Sequence, residues 1–386
     1  MIPYGRQDIT DDDIQAVIDV LKSDFLTQGP KVPIFESEIA TFCGAKYAVA
    51  MNSATSALHT ACMALDLGPG DWLWTSPNSF VASANCAIYC GAKVDFVDID
   101  PKTYNISVES LKKKLIIAKS ENKLPKIIIP VHFAGQSCEM EAIFKLSQEY
   151  NFRIIEDASH AIGGKYLDEN IGSCRFSDIT IFSFHPVKII TTAEGGAATT
   201  NNDLIYNRLQ RHRSHGITSD KKDFVDRPAN EIWNYQQIYI GYNYRMTEIQ
   251  AALGISQLKR INQFVEKRQS IANRYNLELK DLPLILPFQI KESISSYHLY
   301  PIRINKNFSK IDQKDLHEIL IQNAIGVNLH YIPIYRQPFY ENMGFKKGYC
   351  IESENFYETI LSIPIYYGLT IEKQNLVIEI IKNAFK

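Results

Sequence analysis

No stretch of this chain is apolar over the roughly 20 residues needed to span a bilayer. The opening, MIPYGRQDITDDD, has neither a basic region nor an apolar run, so no secretory leader is expected. An excess of one charge is also missing: 41 basic against 43 acidic residues leave a net −2. That balance offers no basic surface to nucleic acid or to an anionic membrane, and any anionic ligand must be gripped by local groups. Cysteines are few, seven in all, and no CxxC pair occurs. Cys86 and Cys90 stand one helical turn apart, but no histidine or carboxylate joins them at ligand spacing. A buried apolar pair is expected there, and no metal. Reduced thiols without a leader point to the cytoplasm. Internal repeats and low-complexity tracts are absent as well.

What is present is length and alternation. A chain of 386 residues exceeds one small core and suits two domains sharing one site. Apolar runs at Tyr47–Met51, Trp72–Thr75, Lys93–Val97, Lys126–Val131, Phe152–Ile155 and Asp178–Phe184 read as strands. Helical stretches fall between them at Ala57–Leu65, Ala82–Cys90, Val108–Ala118 and Met140–Tyr150. This alternation predicts an α/β domain over residues 1–260, with a mixed, mostly parallel sheet. A polar stretch, Thr218–Gln237, reads as a loop or hairpin insertion. One helix is expected from Thr247 to Lys267. Residues 261–386, with a strand at His298–Ile304 and a helix at Lys314–Gln322, read as a smaller α+β domain. The opening residues, 1–20, are expected to cross over to it. In parallel sheets ligands sit beyond the carboxyl ends of the strands, so chemistry should follow strands.

Four segments meet that condition. SFHPVK (Ser183–Lys188) puts a lysine just past a buried strand, where desolvation lowers its pKa and frees a neutral amine for imine formation. The small residues of TTAEGG after it let backbone approach a ligand. NSATSAL (Asn52–Leu58) opens a helix with hydroxyl residues, a ready phosphate cradle. EDASHAIG (Glu156–Gly163) places Asp157 to pair with a pyridinium nitrogen, and His160 to reach a ring oxygen or stack on the ring. In TSPNSF (Thr75–Phe80), Phe80 can cover one ring face. Each has a plainer explanation: a solvated lysine, an ordinary helix cap, a core histidine, a core phenylalanine. The order settles the choice, because cradle, lid, acid and lysine follow successive strands. Together they fit one cofactor, pyridoxal 5′-phosphate (PLP), with Lys188 as its Schiff-base lysine.

With these segments the chain resembles the DegT/DnrJ/StrS-type nucleotide-sugar aminotransferases, and does so over nearly its whole length. Further shared pieces are LTQGP (Leu26–Pro30), RSHGI (Arg213–Ile217), GYNYRM (Gly241–Met246) and GVNLHYIPIY (Gly326–Tyr335). The resemblance implies the aspartate-aminotransferase fold, PLP fold type I. It implies phosphate contacts from Ala54, Thr55 and Ser183. It also implies a homodimer with shared sites, in which Asn243 reaches the phosphate held by the neighbouring subunit. Tyr4, Asp24, Phe25, Leu26, Thr27, Leu329, His330, Tyr331 and Ile332 match positions lining the nucleotide-sugar site, alongside Ala54, Ser183 and Asn243.

A narrower likeness lies in MIPYGRQDI, VHFAGQSCEM and HYIPIY. It is to the branch that moves an amino group from L-glutamate to C4 of UDP-2-acetamido-2,6-dideoxy-β-L-arabino-hexos-4-ulose in pseudaminic acid biosynthesis. A different nucleotide-linked keto sugar is the alternative. Deoxysugar dehydratases of the same fold replace the lysine with histidine, and a non-catalytic regulator would be expected to have lost Lys188 or Asp157. Both residues are present here.

Overall fold

The computed structural model describes residues 1–225 and 233–386. Two helices open the chain, α1 (Asp11–Leu21) and α2 (Lys31–Cys43). There follow β1 (Tyr47–Met51), α3 (Ala54–Ala64), β2 (Trp72–Thr75), α4 (Ala82–Tyr89), β3 (Lys93–Phe96), α5 (Val108–Ser120), β4 (Ile127–Ile129), α6 (Met140–Tyr150) and β5 (Arg153–Asp157). Two more strands, β6 (Ile179–Ser183) and β7 (Gly196–Thr200), lead into α7 (Asp203–Arg213). The expected strands are all present, with ends shifted by a residue or two.

Seven strands form one sheet in the order β1-β7-β6-β5-β4-β2-β3. All neighbours are parallel except β7, which runs antiparallel to both β1 and β6. Successive side chains of a strand point to opposite faces, and here both faces are covered. Ile127 and Ile129 of β4 join a core with Leu58 and Ala61 of α3, while Ile128 joins another with Leu111 of α5 and Ile143 of α6. All three isoleucines are fully buried. Such burial contributes about 1.5–3 kcal/mol per side chain and explains why these strands read as unbroken apolar runs.

β7 was not expected. Its sequence, GAATT, has no large apolar residue, and smallness is what its place requires. A Cβ on Gly196 would lie 2.5 Å from Ala54 N, so only glycine lets α3 approach this closely.

Two expectations need correction. The single helix over 247–267 is two, α8 (Glu248–Leu258) and α9 (Ile261–Leu279). The chain turns at Lys259–Arg260, where the Arg260 guanidinium is held by Asp8 and Asp13 at 2.6 and 2.7 Å and lies over the Phe264 ring. Of the expected cysteine pair, Cys86 is buried together with Cys62 of α3, but Cys90 is only half-buried at the edge of that core. The ends of the polar insertion do pair, Ile217–Thr218 against Gln236–Gln237. Residues 226–232 of it lie outside the described residues.

Beyond α8, β8 (Tyr300–Ile304), α10 (Gln313–Gln322), β9 (Ile360–Ile363) and α11 (Ile371–Ala384) follow. β8 pairs antiparallel with β9 and with the short strand Leu284–Ile285. Ile271 and Tyr275 of α9, Leu316 and Leu320 of α10, and Val377 and Ile381 of α11 share one core with this sheet. Ile2 enters the same core and bonds through its backbone to Ala324 and Gly326. Helix α1 does not follow it, because Asp13 is bonded instead to Gln257 of α8 and to Arg260. No described helix is long and apolar enough to cross a membrane.

Candidate active site

A cavity of about 660 Å³ opens at the carboxyl ends of the parallel strands. Four loops meet there, those after β1, β2, β5 and β6. Ala54, Thr55, Phe80, Asp157, His160, Ser183 and Lys188 all line it. The second sheet's side contributes Leu329, His330, Tyr331 and Ile332, and the N-terminal segment contributes Tyr4.

Lys188 sits in the loop between β6 and β7, and that loop is stapled shut. Phe184 N–H donates to Gly195 O, while Thr192 N–H and the Thr191 hydroxyl both donate to Phe184 O. Burial pulls the Lys188 ammonium down to about 8, and Asp157 opposes that shift. At neutral pH a usable fraction of this amine is therefore unprotonated, which an ordinary surface lysine cannot offer.

Asp157 ends β5 and is 5% exposed. One carboxylate oxygen accepts from the Ser83 hydroxyl at 2.6 Å, and the other accepts from Ser159 N–H at 3.1 Å. The Ser79 and Ser83 hydroxyls are themselves 2.7 Å apart. The carboxylate is thus fixed by α4 as well as by its own turn.

At the start of α3 the Ser53 hydroxyl accepts from Ser56 N–H at 3.1 Å. This cap leaves the first N–H groups of the helix, at Ala54 and Thr55, without intrahelical partners, and they line the cavity. Ser183 stands beside them because it and Met51, at the ends of β6 and β1, both pair with Gly196 of β7. Donors at a helix N-terminus, an amine of lowered pKa and an anchored carboxylate share one wall. That donor set fits a cofactor with a phosphate, an aldehyde and a basic ring nitrogen. Phe80 stands at the lip, 61% exposed.

Three histidines surround the lysine. His160 and His298 lie with ring centroids 4.4 Å apart, and His330 bonds to Ser362 Oγ at 2.9 Å. Burial, reinforced by Lys188, draws His330 down to about 3 and His160 well below its usual value. These rings are neutral and add no competing charge. Among the described residues Lys188 is the only lysine or arginine in the cavity wall.

Not every expected residue reaches the cavity. Asp24, Phe25, Leu26 and Thr27 are exposed and lie outside it, with Leu26 O accepting from Glu248 N–H. Asn243 is exposed too, held near Asn52 and paired with Ser214. Conversely, Ser79, Ser159, Glu194, His298, Asn328 and Gln337 line the wall without having been singled out. His298 had a signal of sorts, since it opens an expected strand. Asn328 and Gln337 had none: Asn328 is brought in by its pairing with Ser362 of the second sheet, and Gln337 by the packing of Ile334 and Tyr340 on the core of the large sheet.

This fold and wall define a PLP-dependent aminotransferase of fold type I. The chain belongs to the DegT/DnrJ/EryC1/StrS aminotransferase family, whose model matches residues 7–382. It is 38% identical over 378 residues to the UDP-4-amino-4,6-dideoxy-N-acetyl-β-L-altrosamine transaminase of Campylobacter jejuni, covering 98% of this chain and 96% of that one. The solved structure of Helicobacter pylori PseC, an aminotransferase involved in pseudoaminic acid biosynthesis, matches with TM-score 0.90 and 32% identity, over 100% and 99% of the two chains. The PLP form of the putative sugar aminotransferase Spr1654 from Streptococcus pneumoniae matches with TM-score 0.87 and 29% identity, over 99% and 98%.

Proposed function

We propose that this aminotransferase moves the amino group of L-glutamate to C4 of UDP-2-acetamido-2,6-dideoxy-β-L-arabino-hexos-4-ulose. The product is UDP-4-amino-4,6-dideoxy-N-acetyl-β-L-altrosamine, and the setting is a cytoplasmic homodimer. The observation that carries the chemistry is the half-buried Lys188, its ammonium pulled down to about 8, lining one cavity with Asp157 and the start of α3. The choice of sugar is supported by the near-complete overlap with the Campylobacter transaminase.

When bound, PLP supplies a carbonyl that carries the amino group between substrates and a ring that takes up the electron pair left by a departing proton. The residues do the rest. Lys188 Nζ is the attachment point, and once released it takes the proton from the donor Cα and hands one back, as base and then acid. Asp157 keeps the ring nitrogen protonated. The N–H groups of Ala54 and Thr55 and the Ser183 hydroxyl would hold the phosphate, and Phe80 and His160 would border the ring. Tyr4 and the Leu329–Ile332 stretch border the sugar nucleotide.

A nucleoside diphosphate and a dicarboxylate both need cations, and among the described residues Lys188, which the cofactor would occupy, is the only lysine or arginine in this wall. That shortage supports completion by a second subunit. Asn243 and the exposed Asp24–Thr27 stretch, none of them cationic, would join a neighbour's site through hydrogen bonds and contact.

The test is direct. Borohydride should fix the cofactor on the peptide carrying Lys188. With glutamate and a panel of UDP- and dTDP-linked keto sugars, product NMR should show amination at C4 of the L-arabino UDP sugar. Amination of a different sugar in preference would replace the substrate and leave the enzyme class intact. Label on another lysine would remove both.

A further inference from the structure

Both ring nitrogens of His160 are already engaged within the protein. Ala134 N–H donates to Nδ1 at 3.3 Å, and Nε2 lies 3.1 Å from the Tyr331 hydroxyl. A backbone N–H can only donate, so Nδ1 is the bare nitrogen. In a neutral imidazole the hydrogen is then on Nε2, and Nε2–H must donate to Tyr331 Oη. Burial first, then Lys188 and His330, keep this ring neutral. The Ala134 N–H is aimed by an unusual backbone: Ala134 has φ +58°, in the left-handed region that a residue with a Cβ enters at a cost.

Tyr331 Oη accepts from His160, so its own hydrogen is left to give. Among the described residues the hydroxyl has no other partner. Burial, then Asp157 and Tyr4, push the phenol up, so it keeps that hydrogen at any working pH. The groups facing this pair are Asp157, Lys188, His330, the His298 ring and Tyr4.

We propose that the Tyr331 hydroxyl donates to the ring oxygen of bound PLP, and that His160, oriented by Ala134 N–H, is the positioning residue that aims it. The inference rests on Lys188 and Asp157 anchoring the cofactor. Asp157 would take the ring nitrogen, and Lys188 the aldehyde carbon, which hangs from the ring carbon next to the one bearing the ring oxygen. His160 follows Asp157 by three residues in the same turn, so the hydroxyl it holds is presented at the level of the ring. His160 therefore serves the ring oxygen through Tyr331 and does not bond it directly.

The ring oxygen carries negative charge that attracts the proton on the Lys188–cofactor nitrogen. A donor on that oxygen disperses the charge and lowers the proton's hold. The experiment titrates the visible absorbance of purified holoenzyme against pH. Tyr331→Phe removes one oxygen and keeps the ring packing, and it should raise the midpoint by about one pH unit. His160→Leu should raise it similarly, because the hydroxyl loses its orientation. His160→Gln should restore the original midpoint, since an amide can accept from Ala134 N–H and donate to Tyr331.

A colourless protein, or borohydride label away from Lys188, would mean that the cofactor anchor itself is misassigned. A coloured Tyr331→Phe enzyme with an unmoved midpoint overturns the proposal. So does a variant altered only in KM for the keto sugar, which would give the hydroxyl to the substrate. Movement in Tyr331→Phe without movement in His160→Leu overturns the positioning role of His160.

Discussion

Lys188 should make the cofactor-free protein less stable, and replacing it with Met should reveal by how much. Burial holds its ammonium at about 8 against an ordinary 10.5, with Asp157 already counted in its favour. That gap of about 2.5 pH units, at about 1.4 kcal/mol each, sets an upper bound of about 3.5 kcal/mol. Water entering the open cavity screens part of it. The sign follows from proton counting. Below about pH 8 the lysine is charged in both states, and the folded form bears the full cost. Between about 8 and 10.5 the unfolded chain holds a proton that the folded chain has lost, so stability rises with pH. Above that range both forms are neutral and the cost is gone. Urea unfolding of apoenzyme should therefore show Lys188→Met more stable than wild type near pH 7, by up to about 3.5 kcal/mol, with the gain fading towards about pH 11. A Met variant no more stable than wild type near neutrality, or a gain that ignores pH, would refute the reasoning.

Three further outcomes follow. Asp157→Asn should keep cofactor capture but slow single-turnover deamination of glutamate at least about 100-fold in stopped flow, because the ring nitrogen loses its proton partner. Gly196→Ala forces a Cβ to within 2.5 Å of Ala54 N. It should displace the start of α3 and weaken PLP binding to apoenzyme at least about tenfold by fluorescence titration, with circular dichroism near normal. Coexpressing inactive Lys188→Ala with inactive Asn243→Asp should restore part of wild-type activity, because a shared-site heterodimer has one intact site; no recovery would put Asn243 and Lys188 in one subunit's site.

The strand ends were legible because each carries its chemistry in a few consecutive residues. Asp157 follows an apolar strand, Lys188 follows another, and Ser53 announces a helix in any context. β7 was not legible, since Gly196–Thr200 has neither alternation nor bulk, and its role is to be small beneath α3. The break at Arg260 was hidden because its cause, Asp8 and Asp13, lies about 250 residues away. The same distance effect concealed Asn328 and Gln337. Tyr331 and His160 were each expected at the site, but sequence says nothing about their touching, and the contact gives both a different task.

The antiparallel strand also sets an order of events. β1 borders the sheet and, among the described residues, has β7 as its sole strand partner, with Tyr47 opposite Thr200. About 150 residues of chain must therefore be made and folded before the first strand can dock. The phosphate cradle hangs from the end of β1, and the lysine precedes β7. Neither half of the cofactor's grip is complete until the last central strand is in place. Uptake of PLP then reports a finished sheet, and a nascent chain stopped short of Gly196 carries Lys188, Asp157 and the start of α3 without the strand that brings them together.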